Sequence, residues 1–473
     1  MTDFIKFSPL LISTTIKHYL NGPPRPSWDL KYHVTWAIIR SIFSVSNCNA
    51  KTTEQMQEES FRSAPAQAGV MINELKINNQ HRYEAQVHLE KILKPYEHVL
   101  DTEWKDLKDD GINAEWVQVP NDGWEKREIR KTILFFHGGG YYLANKESHR
   151  NVTSSLAKKA NARILVIDYR LAPQNQFPAA LQDALAAYLY LLNPPKDAGF
   201  EPLNPKNIVI SGASAGAALS LALGLAIRDA GLPSCAGITC WSPMVDLTHN
   251  TPSMLEKESI DFLPNLANGF GVTHVESQVS KEFKEKAAAL TAKIKKQNLG
   301  PKIWHDSFDR TDERLELYAP NEGLAIPYVS PMLAESLCNL PPLLLVAGDD
   351  ERLRDEIIYV AHKAAEPTKY KGPSYNAGKF EKSPFKTPTN TTLEIYEEMV
   401  HVFQILEHHD STIKSYERTV EFINKVTKVL NEPLPPSSYN CINAKGEFGP
   451  LKEHHKKVLN WENIGIVPNI TRN

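Results

Sequence analysis

The stretch Lys206-Asn207-Ile208-Val209-Ile210-Ser211-Gly212-Ala213-Ser214-Ala215-Gly216 decides the fold. Asn207–Ser211 is a short β-branched run and reads as a buried strand. Ser214 to Ala230 is rich in Ala, Gly and Leu and reads as a helix, with Gly231 placed to end it. Between them stands G-x-S-x-G. A strand, a strained turn with Ser at its tip and then a helix is the context a nucleophile elbow needs. Side chains at Gly212 and Gly216 would collide with neighbouring strands. The helix amino terminus aims N–H groups and positive dipole at a developing oxyanion.

The pattern repeats on both sides. Thr132–Phe136, Arg163–Tyr169, Gly237–Trp241, Leu343–Ala347 and Thr392–Tyr396 are further short apolar runs separated by helical stretches. They predict an α/β fold, a mostly parallel central sheet with helices on both faces. His137-Gly138-Gly139-Gly140 follows the first run, 77 residues before Ser214. Three glycines free backbone N–H groups to approach a tetrahedral intermediate. Gly138, Gly139 and Ala215 are the expected oxyanion hole, with His137, Gly140, Gly212 and Gly216 in support. His137 is expected to hold the loop rather than move protons.

Composition excludes other classes. With 53 Lys+Arg against 56 Asp+Glu the net charge is −3, so no basic face for nucleic acid is expected. Five scattered Cys make neither a disulfide framework nor a zinc pattern, and they favour a reducing compartment. His408-His409 and His454-His455 are adjacent pairs without a third ligand, so no metal is expected. No cofactor is implied.

These motifs, with DYRLAPQNQFPAALQDA (168–184), SPMVDLT (242–248) and YVSPMLAE (328–335), resemble the hormone-sensitive-lipase branch of the α/β-hydrolases. The resemblance covers about residues 113–430. PSWDL (26–30) and NWENIGIVP (460–468) are similar to fungal members, among them steryl acetyl hydrolases; arylacetamide deacetylases are a more distant similarity. One departure is Ala213, where relatives usually carry Asp; it bears on the level of activity more than on its type.

The resemblance implies a triad in the order Ser, acid, His. Its register, two residues before a Leu followed by x-Asp-Glu, puts the acid at Glu351, with Asp350 as rival if the register slips by one. The base is His401, before Val402-Phe403. The implied activity is carboxylic ester hydrolysis by Ser214, His401 and Glu351 on a small lipophilic ester, removing a short acyl group from a lipophilic alcohol as in a sterol acetate. Two alternatives stand beside it. One is an amidase or deacetylase using the same triad. The other is a non-catalytic lipid or hormone receptor, as in the plant gibberellin receptors, where the catalytic His is lost.

The expected organisation is a helical cap and lead-in over 1–112, a hydrolase core over 113–435 and a tail over 436–473 laid on the core, with Trp461 as anchor. The core carries insertions at about 266–305, containing a charged helix over 278–298, and at 366–389, a surface loop. Two helices are expected before residue 50, Pro9–Leu20 and a second capped by Ser27. The second is apolar on most sides, which suits a buried cap or a helix on a membrane surface. Cytosol fits the first; the surface of endoplasmic reticulum or lipid droplets fits the second. Asn151, Asn390 and Asn469 begin glycosylation sequons, relevant only in the secretory pathway.

Overall fold

The structure, a computed structural model, describes residues 2–120, 131–266, 275–297, 316–372, 383–428 and 433–460. Ten strands make one sheet: β1 (Met71–Asn78), β2 (Gly111–Gln118), β3 (Thr132–Phe136), β4 (Arg163–Ile167), β5 (Ile208–Ala213), β6 (Gly237–Trp241), β7 (Leu343–Gly348), β8 (Thr391–Tyr396), β9 (Ser438–Ile442) and β10 (Phe448–Pro450). Their order is β1-β2-β4-β3-β5-β6-β7-β8-β9-β10. From β4 across to β9 every pairing is parallel, and β1, β2 and β10 join antiparallel at the two edges.

Strands β3 to β8 are buried at every position, which is why most read as near-continuous apolar runs rather than alternating ones; β8 carries a buried Glu394, which accepts from Arg418 Nε at 2.7 Å. The chain steps outward from β3 to β4 through helix Arg150–Ala160 and back to β5 through Ala179–Leu192. Right-handed crossovers in opposite directions put those helices on opposite faces. Asp410–Val426 joins the first, and Ala215–Asp229 and Asn79–Leu93 join the second. Asp183 ties helix to sheet: it accepts from the Arg170 N–H at 2.8 Å and from Arg82 Nε at 2.7 Å.

Four strands lack an apolar run and were not expected. β1 has one buried position of eight, and its sequence, MINELKIN, alternates with charge. β9 and β10 lie in the segment expected as a laid-down tail; β9 pairs in parallel with β8 instead. The first helix, α1, runs Thr2–Asn21 with Pro9 inside it, and the second, α2, runs Leu30–Ile42. Asp29, not Ser27, caps α2, accepting from the Tyr32 N–H at 2.7 Å. Ser27 is occupied elsewhere: its N–H donates to Glu398 Oε2 at 2.8 Å. The charged helix is present as Gln278–Gln297. Trp461, Asn469 and the middle of the 366–389 loop lie outside the described residues. All five Cys are buried free thiols. Among the described residues no helix is long and apolar enough to cross a membrane.

Candidate active site

The parallel strands end on one side of the sheet, where ligands of open α/β sheets bind. Four of those ends carry the residues singled out above: β3 leads into His137–Gly140, β5 into Ser214, β7 into Glu351 and β8 into His401. Strand order makes β3 and β5 neighbours, so the glycine loop flanks the serine turn.

Ser214 has φ 55° and ψ −122°, a left-handed conformation that an L-residue holds only at a cost. Its N–H donates to Trp241 O at 2.9 Å, fixing the turn against β6. The glycines make the turn sterically feasible. A Cβ at Gly212 would sit 2.4 Å from Gly216 O, and one at Gly216 would sit 2.2 Å from Phe136 O and 2.3 Å from His137 O. Gly216→Ala therefore drives backbone into backbone. We expect it to lose about 1–3 kcal/mol or more of stability, read by thermal unfolding, together with most of the activity.

His401 Nε2 lies 2.9 Å from Ser214 Oγ. The imidazole is buried, which pushes its pKa down to about 3, and Phe262 meets it edge-on at 5.8 Å between ring centres. Neutral imidazole can accept the hydroxyl proton at Nε2.

Glu351 is buried behind it. Its Oε2 accepts from Ser242 Oγ at 2.7 Å and from the Gly348 N–H at 2.9 Å. Burial first, and then the negative charge of Asp261, push its pKa up to about 8. Ser242, at the end of β6, also accepts from the Val402 N–H at 3.0 Å, so one hydroxyl touches both loops. Glu351 Oε1 and His401 Nδ1 are buried atoms without a hydrogen-bond partner among the described residues. Asp350 faces away, clasped by Arg25 through two hydrogen bonds of 2.7 and 2.6 Å.

The glycine loop differs from expectation at one atom. The Gly138 N–H donates to His149 Nε2 at 3.2 Å, so that donor is already used. The N–H groups of Gly139, Gly140 and Ala215 make no hydrogen bond to another described residue. Gly139 holds φ 109°, and a Cβ there would meet Leu143 O at 2.2 Å. His137 is fully buried, stacked on Tyr169 with ring centres 4.2 Å apart, and Tyr169 Oη donates to His137 O at 2.8 Å. Burial lowers His137 to about 4 and His149 to about 3. Both rings stay neutral at ordinary pH and act as supports.

His149 and Asp261 had no local signal in the sequence; Ser242 opens the SPMVDLT motif, but nothing in the motif marks its contact with the acid. Arg25, which grips the acid loop from the amino-terminal segment, had no such signal either; Trp28, in PSWDL, grips the base loop beside it, its Nε1–H donating to Glu398 O at 2.8 Å. His454 and His455 acquire a third group, with Asp349 bringing ligand atoms within 4.8 Å of one another. The contact is a hydrogen-bonded anchor. His455 Nδ1 accepts from the Lys452 N–H at 3.1 Å, so its hydrogen sits on Nε2, which donates to Asp349 Oδ1 at 2.7 Å. Lys452 and Arg354 flank the same carboxylate at 3.6 Å, occupying it with positive charge.

Residues 133–268 match the model of an alpha/beta hydrolase fold family. An acetyl-hydrolase of Streptomyces hygroscopicus is 30% identical over 290 residues, covering 61% of this chain and 72% of that protein. A carboxylesterase, NlhH, of Mycobacterium tuberculosis is 28% identical over 157 residues, 33% of this chain and 46% of that one. Among solved structures, an esterase from the bacterial hormone-sensitive lipase family shares the fold at a TM-score of 0.51 and 22% identity, over 83% of this chain and 96% of that one. A receptor on this fold was expected to lack the base, whereas His401 is present and hydrogen-bonded to Ser214. The chain belongs to the alpha/beta hydrolase family and is one of its esterases.

Proposed function

We propose that the chain hydrolyses a short-chain carboxylic ester of a lipophilic alcohol through Ser214, His401 and Glu351. The observation that carries this is the 2.9 Å contact of His401 Nε2 with Ser214 Oγ, at the tip of a turn strained to φ 55°. Ser214 Oγ attacks the ester carbonyl as His401 Nε2 takes its proton. The oxyanion is held by the N–H groups of Gly139 and Ala215, with Gly140 in place of Gly138 as the third donor. Collapse of the intermediate expels the alcohol, protonated by His401. Water, activated by the same nitrogen, then cleaves the acyl-enzyme. Glu351 Oε1 accepts from His401 Nδ1–H, which supplies a partner for both of the unpaired buried atoms and holds the tautomer that leaves Nε2 free.

Two observations support a short acyl group on a bulky apolar alcohol. The first is the acetyl-hydrolase relative. The second is the apolar wall beside the base. Trp28 and Trp36 lie 5.4 Å apart between ring centres, and Phe43 stacks on Phe262, which abuts His401. Sterol acetates are the leading candidates. Hydrolysis of p-nitrophenyl acetate, butyrate and octanoate, beside a sterol acetate, tests both parts. The expected order is acetate above octanoate, with turnover of the sterol ester. Turnover of aryl esters without sterol acetate turnover removes the sterol reading, and a preference for octanoate removes the short acyl group.

A further inference from the structure

Between β6 and the described end at residue 266, the chain folds a segment over the two catalytic loops. Arg352 fastens it from the acid side: Nε donates to Leu263 O at 3.0 Å and Nη1 to Met254 O at 2.7 Å. Helix α2 fastens it from outside. The Trp36 Nε1–H donates to Ile260 O at 2.8 Å and Arg40 Nη2 donates to Ser259 O at 3.0 Å.

Asp261 sits in the middle of this segment, with 2% of its surface exposed. Its Oδ2 accepts from the Arg352 N–H at 2.8 Å, the residue directly after Glu351. Its Oδ1 accepts from the N–H of His401 itself at 3.2 Å. A single carboxylate thus bridges the acid loop and the base loop, end to end, through main-chain atoms. Only a group with two acceptor oxygens and no donor satisfies both; an amide would turn an N–H onto an N–H.

We propose that Asp261 is a positioning residue that sets the separation of Glu351 and His401. This rests on the triad proposed above. Its action is geometric, and displacing a catalytic group by about 1 Å can cost about 10²-fold in rate. It also has an electrostatic signature. Asp261 faces Glu351, His401 and Arg352, and its negative charge raises the proton affinity of Glu351, which Arg354 opposes. Activity needs the Glu351–His401 pair without its extra proton. Removing the Asp261 charge lowers the pH at which the pair takes that proton up.

The test is Asp261→Asn, with Ser214→Ala measured beside it, using p-nitrophenyl acetate. The expected result is a fall in kcat of about 10–10²-fold with KM changed by less than about threefold. The acid limb of the kcat/KM profile is expected to move to lower pH. A kcat within about twofold of the parent overturns the proposal. So does a fall in rate at every pH with the limb unmoved, which is the mark of a merely structural role. Should the Asn variant not fold, Asp261→Glu keeps the charge and shifts the oxygens by one methylene. Lower kcat at unchanged KM then supports the proposal, and unchanged kcat overturns it. Activity surviving in Ser214→Ala would instead sink the triad; an inactive Ser214→Ala beside a fully active Asp261→Asn sinks only the role of Asp261.

Discussion

Ser214→Ala is expected to lower kcat for p-nitrophenyl acetate by about 10⁵–10⁶-fold, and His401→Ala by a similar factor, because the two act as one unit. Neither should unfold the chain. The N–H of Ser214 donates to Trp241 O and its carbonyl accepts from Ala217, Ala218 and Met244, none of which involves the hydroxyl. Unchanged thermal unfolding with lost hydrolysis, and lost labelling by a fluorophosphonate, is the combined outcome that checks it. A variant retaining a tenth of the parent rate would place the nucleophile elsewhere.

The second large effect separates neighbouring carboxylates. Glu351→Gln is expected to cost about 10⁴-fold in kcat, the scale seen when a triad acid loses its charge with geometry kept. The amide cannot stabilise an imidazolium; with its oxygen kept on Ser242 and Gly348, which both donate to Oε2, its N–H₂ takes the place of the unpaired Oε1. Asp350→Asn should change little. Its pairing with Arg25 is partly open to solvent, with side-chain exposures of 37% and 17%, and such pairs contribute about 0–1 kcal/mol. Measuring kcat for the two variants decides the register. If Asp350→Asn collapses the rate and Glu351→Gln spares it, the acid lies one residue earlier.

What the sequence made legible follows from what is local. The central strands announced themselves because burial on both faces demands an unbroken apolar run, as in ILFF before His137. Ser214 and Gly138–Gly140 were readable because the turn and the loop are each built by consecutive residues. His401 was readable from its flanking residues, although its role needs a partner 187 residues away. β1 was illegible because an edge strand with one buried position has little pattern to show. Asp261 and His149 were illegible for a different reason. Each acts by a single hydrogen bond or two onto main chain, and an isolated Asp or His has no spacing that marks it. The used N–H of Gly138 belongs here too: the motif says that glycines are needed, while the atom left free depends on where the His149 ring lands.

The acid loop is gripped from two remote places in the chain. Arg25 reaches Asp350 across 325 residues of sequence, and His455 reaches Asp349 across 106. Contacts of such long sequence separation are closed late, since loop-closure entropy opposes them until the rest of the structure is in place. During synthesis the strand carrying Ser214 is complete well before residue 455 leaves the ribosome. A nascent chain thus has the Ser214 turn and the glycine loop early, while the clamp on Asp349 and Asp350 is finished among the last steps of folding. The clamp itself should form as a late event in refolding, trailing the recovery of secondary structure.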